Sequence, residues 1–286
     1  MCRINPRVDF AFKKLFGTEE NKELLIDFIN SIVSEKDQVM DLELKNPYSI
    51  QSFKAEKQSI LDIKAQDSEG KWFNIEMQII DQDYFDKRAL YYWSKLYTEQ
   101  LTSGMRYDKL TKTIGINILN FNCLEEAAYH NCYRLQNVES GKEYLDHIEL
   151  HFIELGKYDE SLVTMLDRWT NFLKKAEMYE KKNLPQELKE VASIRKAIDI
   201  LETMGLDPEE RNSYDASVKL LMDEESRLAT AERKGLEQGL EQGIEIGARQ
   251  AKLELAKGLL EILDVETVAL KTGLSQADVE LLSKEK

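Results

Sequence analysis

Between residues 57 and 79, two runs that alternate apolar with polar positions flank Asp67-Ser68-Glu69-Gly70, the pattern of two antiparallel strands joined by a turn. Strand side chains point to alternate faces. Leu61, Ile63 and Ala65 therefore share one face with Ile75, Met77 and Ile79, while Asp62, Lys64, Asn74, Glu76 and Gln78 share the other. With the turn centred on Glu69, Asp62 and Glu76 are equidistant from it and face each other. Directly opposed strand residues have Cβ atoms about 4.5 to 5.5 Å apart, so two carboxylates there repel unless a cation lies between them. The polar face is thus either a solvated hairpin surface or a divalent-metal site, with Lys64 and Gln78 adding a cation and an amide.

Before the hairpin the period is helical. Val8, Phe12, Leu15 and Phe16 predict a short helix ended by Gly17, and Leu24, Leu25, Phe28, Ile29 and Ile32 a second with Thr18 as its N-cap. Asp9 and Lys13 stand four apart on the first, the spacing of a helix-surface ion pair. A strand is expected near 41–49. After the hairpin, 83–103 predicts a helix packed on more than one side, with Gly104 at its end, and Lys112–Phe121 a buried strand. Two more strands, Tyr129–Gln136 and Leu145–Leu155, complete the sheet. In the last of these His147, Glu149 and His151 alternate with apolar residues; a strand sets them on one wet face, which gives little reason to expect zinc. Arg88 has two readings, a phosphate contact or a surface ion pair with Asp81 or Asp86.

From Asp159 the pattern is helical throughout. Leu162, Met165, Leu166, Trp169, Phe172 and Leu173 make one amphipathic helix, Leu188–Met204 a second, and Asp207-Pro208 starts a third that runs past residue 230. Within it Gly235, Gly239, Gly243 and Gly247 recur every four residues, trailed by Leu236, Leu240 and Ile244. Each glycine costs a solvated helix about 1 kcal/mol against alanine. The repeat reads either as a seam between subunits or as a tolerant linker. Val265–Leu282 predicts a terminal helical hairpin turning at Gly273; Gln276, Asp278 and Glu280 stand where a DNA-reading helix would be basic.

Composition adds constraints of class. The 286 residues are 42% hydrophobic, enough for a core, and hold no run of the roughly 18 apolar residues that a membrane helix needs. The start, Met1-Cys2-Arg3-Ile4-Asn5-Pro6, is unlike a signal peptide, and Cys2, Cys123 and Cys132 have no metal-knuckle or disulfide spacing. A reducing cytoplasm is the expected setting. The net charge of −14 opposes a nucleic-acid partner, but residues 1–110 carry only −3 of it. Lys13, Lys14, Lys64, Lys87 and Arg88 can therefore form a basic rim.

Asp62, a hairpin and Glu76-Met77-Gln78 resemble the PD-(D/E)XK nuclease motif, with Leu61 at its proline and Gln78 at its lysine. Asn5-Pro6, Asp9-Phe10-Ala11-Phe12-Lys13-Lys14-Leu15-Phe16-Gly17, Asn74-Ile75-Glu76-Met77-Gln78 and Arg88-Ala89-Leu90-Tyr91-Tyr92 are similar to blocks of the bacterial Rpn group, recombination-promoting nucleases also described as PD-(D/E)XK family putative transposases. The spaced glycines of the tail fit the same group. The resemblance implies an α/β fold: a restriction-endonuclease-like core, a mixed sheet flanked by helices, over residues 1–155, and an all-α extension over 156–286. It implies Mg²⁺-dependent hydrolysis of DNA, with Mn²⁺ as an alternative ion; the glycine repeat, read as a seam, predicts a homo-oligomer joined through the C-terminal helices. Asp62, Glu76 and the Met77 carbonyl would hold the metal, Gln78 would orient water, Lys64 would supply the missing lysine's charge, and Asp9 would reach the metal from the first helix. The rival readings are a DNA-binding or oligomeric scaffold whose catalysis has decayed, and an assembly module acting through its terminal helices.

Overall fold

The computed structural model describes residues 4–45, 62–81, 83–179 and 183–284. It divides into two compact units, Met1–Leu220 and Leu221–Lys286. In chain order the first unit runs α1 (Asp9–Phe16), α2 (Lys22–Ile32), β1 (Leu42–Leu44), β2 (Asp62–Asp67), β3 (Trp72–Gln78), α3 (Phe85–Glu99), β4 (Thr113–Leu119), β5 (His130–Arg134), β6 (Ile148–Glu154), α4 (Met165–Lys175), α5 (Gln186–Lys189) and α6 (Ala192–Leu206). The start of α7 (Pro208–Leu259) belongs to this unit. The rest of α7, with α8 (Val265–Thr272) and α9 (Gln276–Lys284), makes the second.

Among the described residues the strands form one six-stranded mixed sheet in the order β1-β2-β3-β4-β6-β5. The hairpin β2–β3 is antiparallel, β3 runs parallel to β4, and β4 parallel to β6. Parallel neighbours need a crossover, and α3 supplies it between β3 and β4. Every residue of β4, Thr-Ile-Gly-Ile-Asn-Ile-Leu, is buried, as befits a central strand covered on both sides.

One face bears Ile63, Ala65, Phe73, Ile75, Met77, Ile114, Ile116, Ile118 and Ile153 against α1, α2, α4 and α6. Phe16, Phe28 and Trp169 meet edge-on or tilted at its centre, with centroids 5.4 to 5.8 Å apart. The Trp169 indole donates to Asp27 at 2.9 Å, so its polar edge is satisfied in the core. A capping box of Thr164 and Asp167 starts α4. Tyr214, near the start of α7, accepts a hydrogen bond from the Asn5 backbone at 3.0 Å. The helices after residue 155 thus share the core of the sheet. Thr18 does not cap α2; a single 3₁₀ turn, Glu19–Asn21, intervenes.

The other face lies under α3, whose Phe85, Ala89 and Trp93 pack on Leu119, Leu150 and Phe152. A Cβ on Gly115 would sit 2.8 Å from the Leu150 methyl and 3.9 Å from the Trp93 ring. Glycine is what lets the helix and the two strands close at that point. Trp93 locks the contact by donating to the Thr113 carbonyl at 2.7 Å.

In the second unit Ala256, Val268, Ala269 and Val279 form a small core. Asp264 caps α8 through the Thr267 amide, and Gly273, at φ 68°, makes the turn into α9. Gly235, Gly239, Gly243 and Gly247 lie within continuous helix, with no neighbouring atom within 4 Å of where a Cβ would be. Among the described residues, no helix is long and apolar enough to cross a membrane.

Candidate functional site

The register of the hairpin pairs Asp62 with Glu76 and Lys64 with Asn74, as a turn centred on Glu69 requires. Gly70, at φ 89°, takes the left-handed position that closes it. The polar face of β3 is not a wet surface, however. Asn74, Glu76 and Gln78 are each only 5 or 6% exposed, since α3 covers them.

The reason this face tolerates burial comes from α3 itself. Tyr84 adopts the left-handed conformation at φ 63°, and the helix starts directly after it. Arg88, in the first turn, is thereby aimed back at the strand. Its Nη2 donates to Glu76 Oε1 at 2.8 Å and to Gln78 Oε1 at 2.7 Å, and its guanidinium lies 4.7 Å from the Phe85 ring centre. Gln78 in turn donates to the Ile80 carbonyl at 3.0 Å. A buried carboxylate needs a paired charge, and Arg88 provides it. The Glu76 partner is one that neither reading of Arg88, a phosphate contact or a pair with Asp81 or Asp86, named. The sequence did carry a signal, the block Arg88-Ala89-Leu90-Tyr91-Tyr92, but the partner depends on how α3 docks.

The other expected site residues are distributed as follows. Asp62 is the β2 residue opposite Glu76. Lys64 is on the same face, its Nζ 3.8 Å from Glu99 of α3. Met77 points its side chain into the core, so only its carbonyl is available to a ligand. Asp9 lies in the first turn of α1, 3.3 Å from Lys13 Nζ, and both side chains are largely buried. Of the expected basic rim, Lys13 is 7% exposed, Lys14 pairs with Glu210 at 2.9 Å, and Lys87 lies 4.4 Å from the Tyr84 ring centre.

Residues 6–231 match a family described as PD-(D/E)XK nuclease family transposase. The chain belongs to that family. Comparison with curated proteins gives no match, and comparison with solved structures gives none. Membership agrees with the mixed sheet flanked by helices and supports a nuclease- or transposase-like function for this PD-(D/E)XK chain. The donor set fits the ion such nucleases use: a carboxylate on β3, a carboxylate-bearing residue opposite it on β2, and a backbone carbonyl are all oxygen donors, which suits Mg²⁺ or Mn²⁺. Glu76 is already held by Arg88 at 2.8 Å, so an ion would share the carboxylate with a guanidinium.

A second polar cluster lies beside β4 and β6. Most of the expected wet face of His147, Glu149 and His151 is instead interior: Glu149 is fully buried and His151 is 2% exposed, while His147 is half-buried. Lys112, just before β4, donates to Asp37 at 2.7 Å and to Glu149 at 2.8 Å, and pairs with Asp146 at 2.8 Å. Arg134 of β5 donates to the same Glu149 oxygen at 2.9 Å. Burial pushes the Glu149 carboxyl up, but hydrogen bonds from His151, Arg134 and Lys112 outweigh it and hold the group well below its ordinary value. Alternation alone reads these polar residues as exposed; the cations that neutralise them come from elsewhere in the chain.

Proposed function

We propose that this chain is a divalent-metal-dependent DNA endonuclease, cleaving phosphodiester bonds in a recombination- or transposition-like process in the bacterial cytoplasm. The reading rests on one observation above the rest. Asp62 and Glu76 are paired across a hairpin, and Glu76 and Gln78 are buried beneath a helix that joins them through one arginine. Asp62 and Glu76, with the Met77 carbonyl, would hold Mg²⁺ or Mn²⁺; when bound, such an ion polarises a phosphate and lowers the pKa of a water. Asp9, from α1, would contribute from the far side of the site. Gln78, its carboxamide oriented by Arg88 and the Ile80 carbonyl, positions the attacking water. The archetypal lysine is absent here, and Arg88 together with Lys64 supplies the positive charge. Residues 1–155 carry this chemistry and 156–286 support and assemble it. In assembly, the exposed Leu236, Leu240 and Ile244, set between glycines, join subunits into a homo-oligomer.

Cleavage of supercoiled plasmid in Mg²⁺ tests the reading. Asp62→Ala is expected to abolish cutting, and Gln78→Ala to slow it about a hundredfold to a thousandfold, the usual cost of one preorganised polar contact. Equal cutting by Asp62→Ala and wild type would remove the site assignment. A second reading, a catalytically silent scaffold, is favoured by the Arg88–Glu76 pair, which already neutralises the carboxylate that an ion needs. Absence of cutting by any variant, Gln78→Lys included, would establish it.

A further inference from the structure

We propose that Cys132, Glu149 and His151 form a second metal site, taking a borderline-soft divalent ion of the zinc class. This site is separate in chemistry from the all-oxygen set on the hairpin, and it stands or falls independently of the nuclease reading. The register of β5 on β6 sets Cys132 opposite His151 and Arg134 opposite Glu149. Strand alternation then puts Cys132, Glu149 and His151 on one side of the sheet. One ligand atom from each, the thiol sulfur, a carboxylate oxygen and an imidazole nitrogen, lies within 4.8 Å of the other two.

The distances are close to what coordination demands. Zinc bonds of about 2.0 to 2.3 Å at tetrahedral angles separate neighbouring ligand atoms by roughly 3.3 to 3.7 Å. Cys132 Sγ is 3.9 Å from His151 Nε2, already near that spacing. His151 Nε2 lies 2.8 Å from Glu149 Oε1, a hydrogen bond that an inserted ion would replace by opening it about half an ångström. Glu149 presents that oxygen to the ion because its other one, Oε2, is taken by Lys112 and Arg134. Lys112 brings no uncompensated charge against a dication, since Asp37 and Asp146 hold it as well.

The surroundings supply what a ligating histidine needs. His151 Nδ1 lies 2.9 Å from His130 Nε2, and the two rings stack with centroids 5.2 Å apart. With an ion on Nε2, the His151 ring carries its proton on Nδ1 and donates it to His130, the arrangement that fixes tautomer and ring plane in metal centres. Cys132 enters as thiolate, its proton passing to solvent. Cys132 is exposed on the edge strand while Glu149 and His151 are buried, so the ion enters from the Cys132 side. Three protein ligands leave the fourth position to water. The mixed sulfur, nitrogen and oxygen set selects zinc-class ions over magnesium.

The test uses the full chain, stripped with chelator and titrated with Co²⁺ as a spectroscopic probe, then with Zn²⁺. The expected result is about one equivalent of Co²⁺ showing a thiolate-to-metal charge-transfer band, displaced by Zn²⁺, together with loss of Cys132 alkylation when Zn²⁺ is bound. Cys132→Ser, a near-isosteric change at an exposed edge position, is expected to lose the band while keeping the wild-type unfolding temperature. His130→Gln is expected to weaken binding about tenfold to a hundredfold by removing the outer partner, and Glu76→Gln to leave it unchanged. A wild type with no charge-transfer band, or a Cys132→Ser variant that retains it, would overturn the proposal.

Discussion

Arg88→Met removes the cation that satisfies two buried acceptors at once while keeping most of the side chain's apolar volume. Breaking a fully buried ion pair costs about 3 to 5 kcal/mol, whereas an exposed pair is worth about 0 to 1. Glu76 is 6% exposed in its side chain and Arg88 25%, so water can partly replace the guanidinium. The expected loss therefore falls between the two ranges and nearer the buried one, about 2 to 3 kcal/mol, read as a lowered urea midpoint with an unchanged slope. Glu76→Gln removes the charge that needs neutralising, so Arg88→Met should cost less in its presence, and the double-mutant cycle should show coupling above about 1 kcal/mol. The same contact sets a prediction for metal. An ion and Arg88 draw on one carboxylate, so Mg²⁺ should raise the stability of Arg88→Met more than that of wild type, by the difference in their binding. A loss under 0.5 kcal/mol, on the order of a neutral surface change, with equal Mg²⁺ effects in both proteins, would refute the pairing as the reason this face is buried.

Gly115→Ala places a methyl 2.8 Å from the Leu150 side chain under α3; a loss of about 1 to 3 kcal/mol is expected in thermal or urea unfolding. Burial pushes the Asp167 carboxyl up, but hydrogen bonds from Tyr129 and at Thr164 hold it below its usual 3.8. A depressed carboxyl contributes stability above its unfolded value and loses it as pH falls below, so Asp167→Asn should flatten the stability curve below pH 3.8. A chain ending at Leu220 keeps the first compact unit and should be monomeric by light scattering, with the circular dichroism of a folded α/β protein; an unchanged oligomer mass would count against assembly through the tail.

The hairpin register was legible because it depends on local features only, a two-residue period and a turn with glycine where φ is positive. The strand Thr113–Leu119 was readable from its β-branched residues, and Ile148–Glu154 from the alternation of Ile148, Leu150 and Phe152 with polar residues. What escaped was which polar faces are covered and by what. Alternation left Glu76 and Gln78 either solvated or in a metal site and did not show that α3 folds back over them, and it set Glu149 and His151 on a wet face, without the Lys112 and Arg134 that arrive from elsewhere in the chain. Polar residues in an alternating strand carry no mark of their partners when these are distant in sequence. The helix expected over 188–204 is in fact two, Gln186–Lys189 and Ala192–Leu206, separated at Val191 in an extended conformation. No glycine or proline announces that break.

The Lys112 ammonium joins two distant stretches of chain, one at Asp37 and one at Asp146 and Glu149. An ammonium enclosed with only one of these carboxylates would be poorly compensated, and Glu149 enclosed without its cations equally so. Intermediate arrangements with β4 laid on β6 but the segment around Asp37 undocked are therefore penalised. Docking of the Asp37 segment and pairing of β4 with β6 are thereby coupled. Loss of the ammonium in Lys112→Met should then weaken that coupling, read as a lowered slope of urea unfolding. In the native state, amide protons on β4 and β6 should exchange through one shared opening rather than strand by strand.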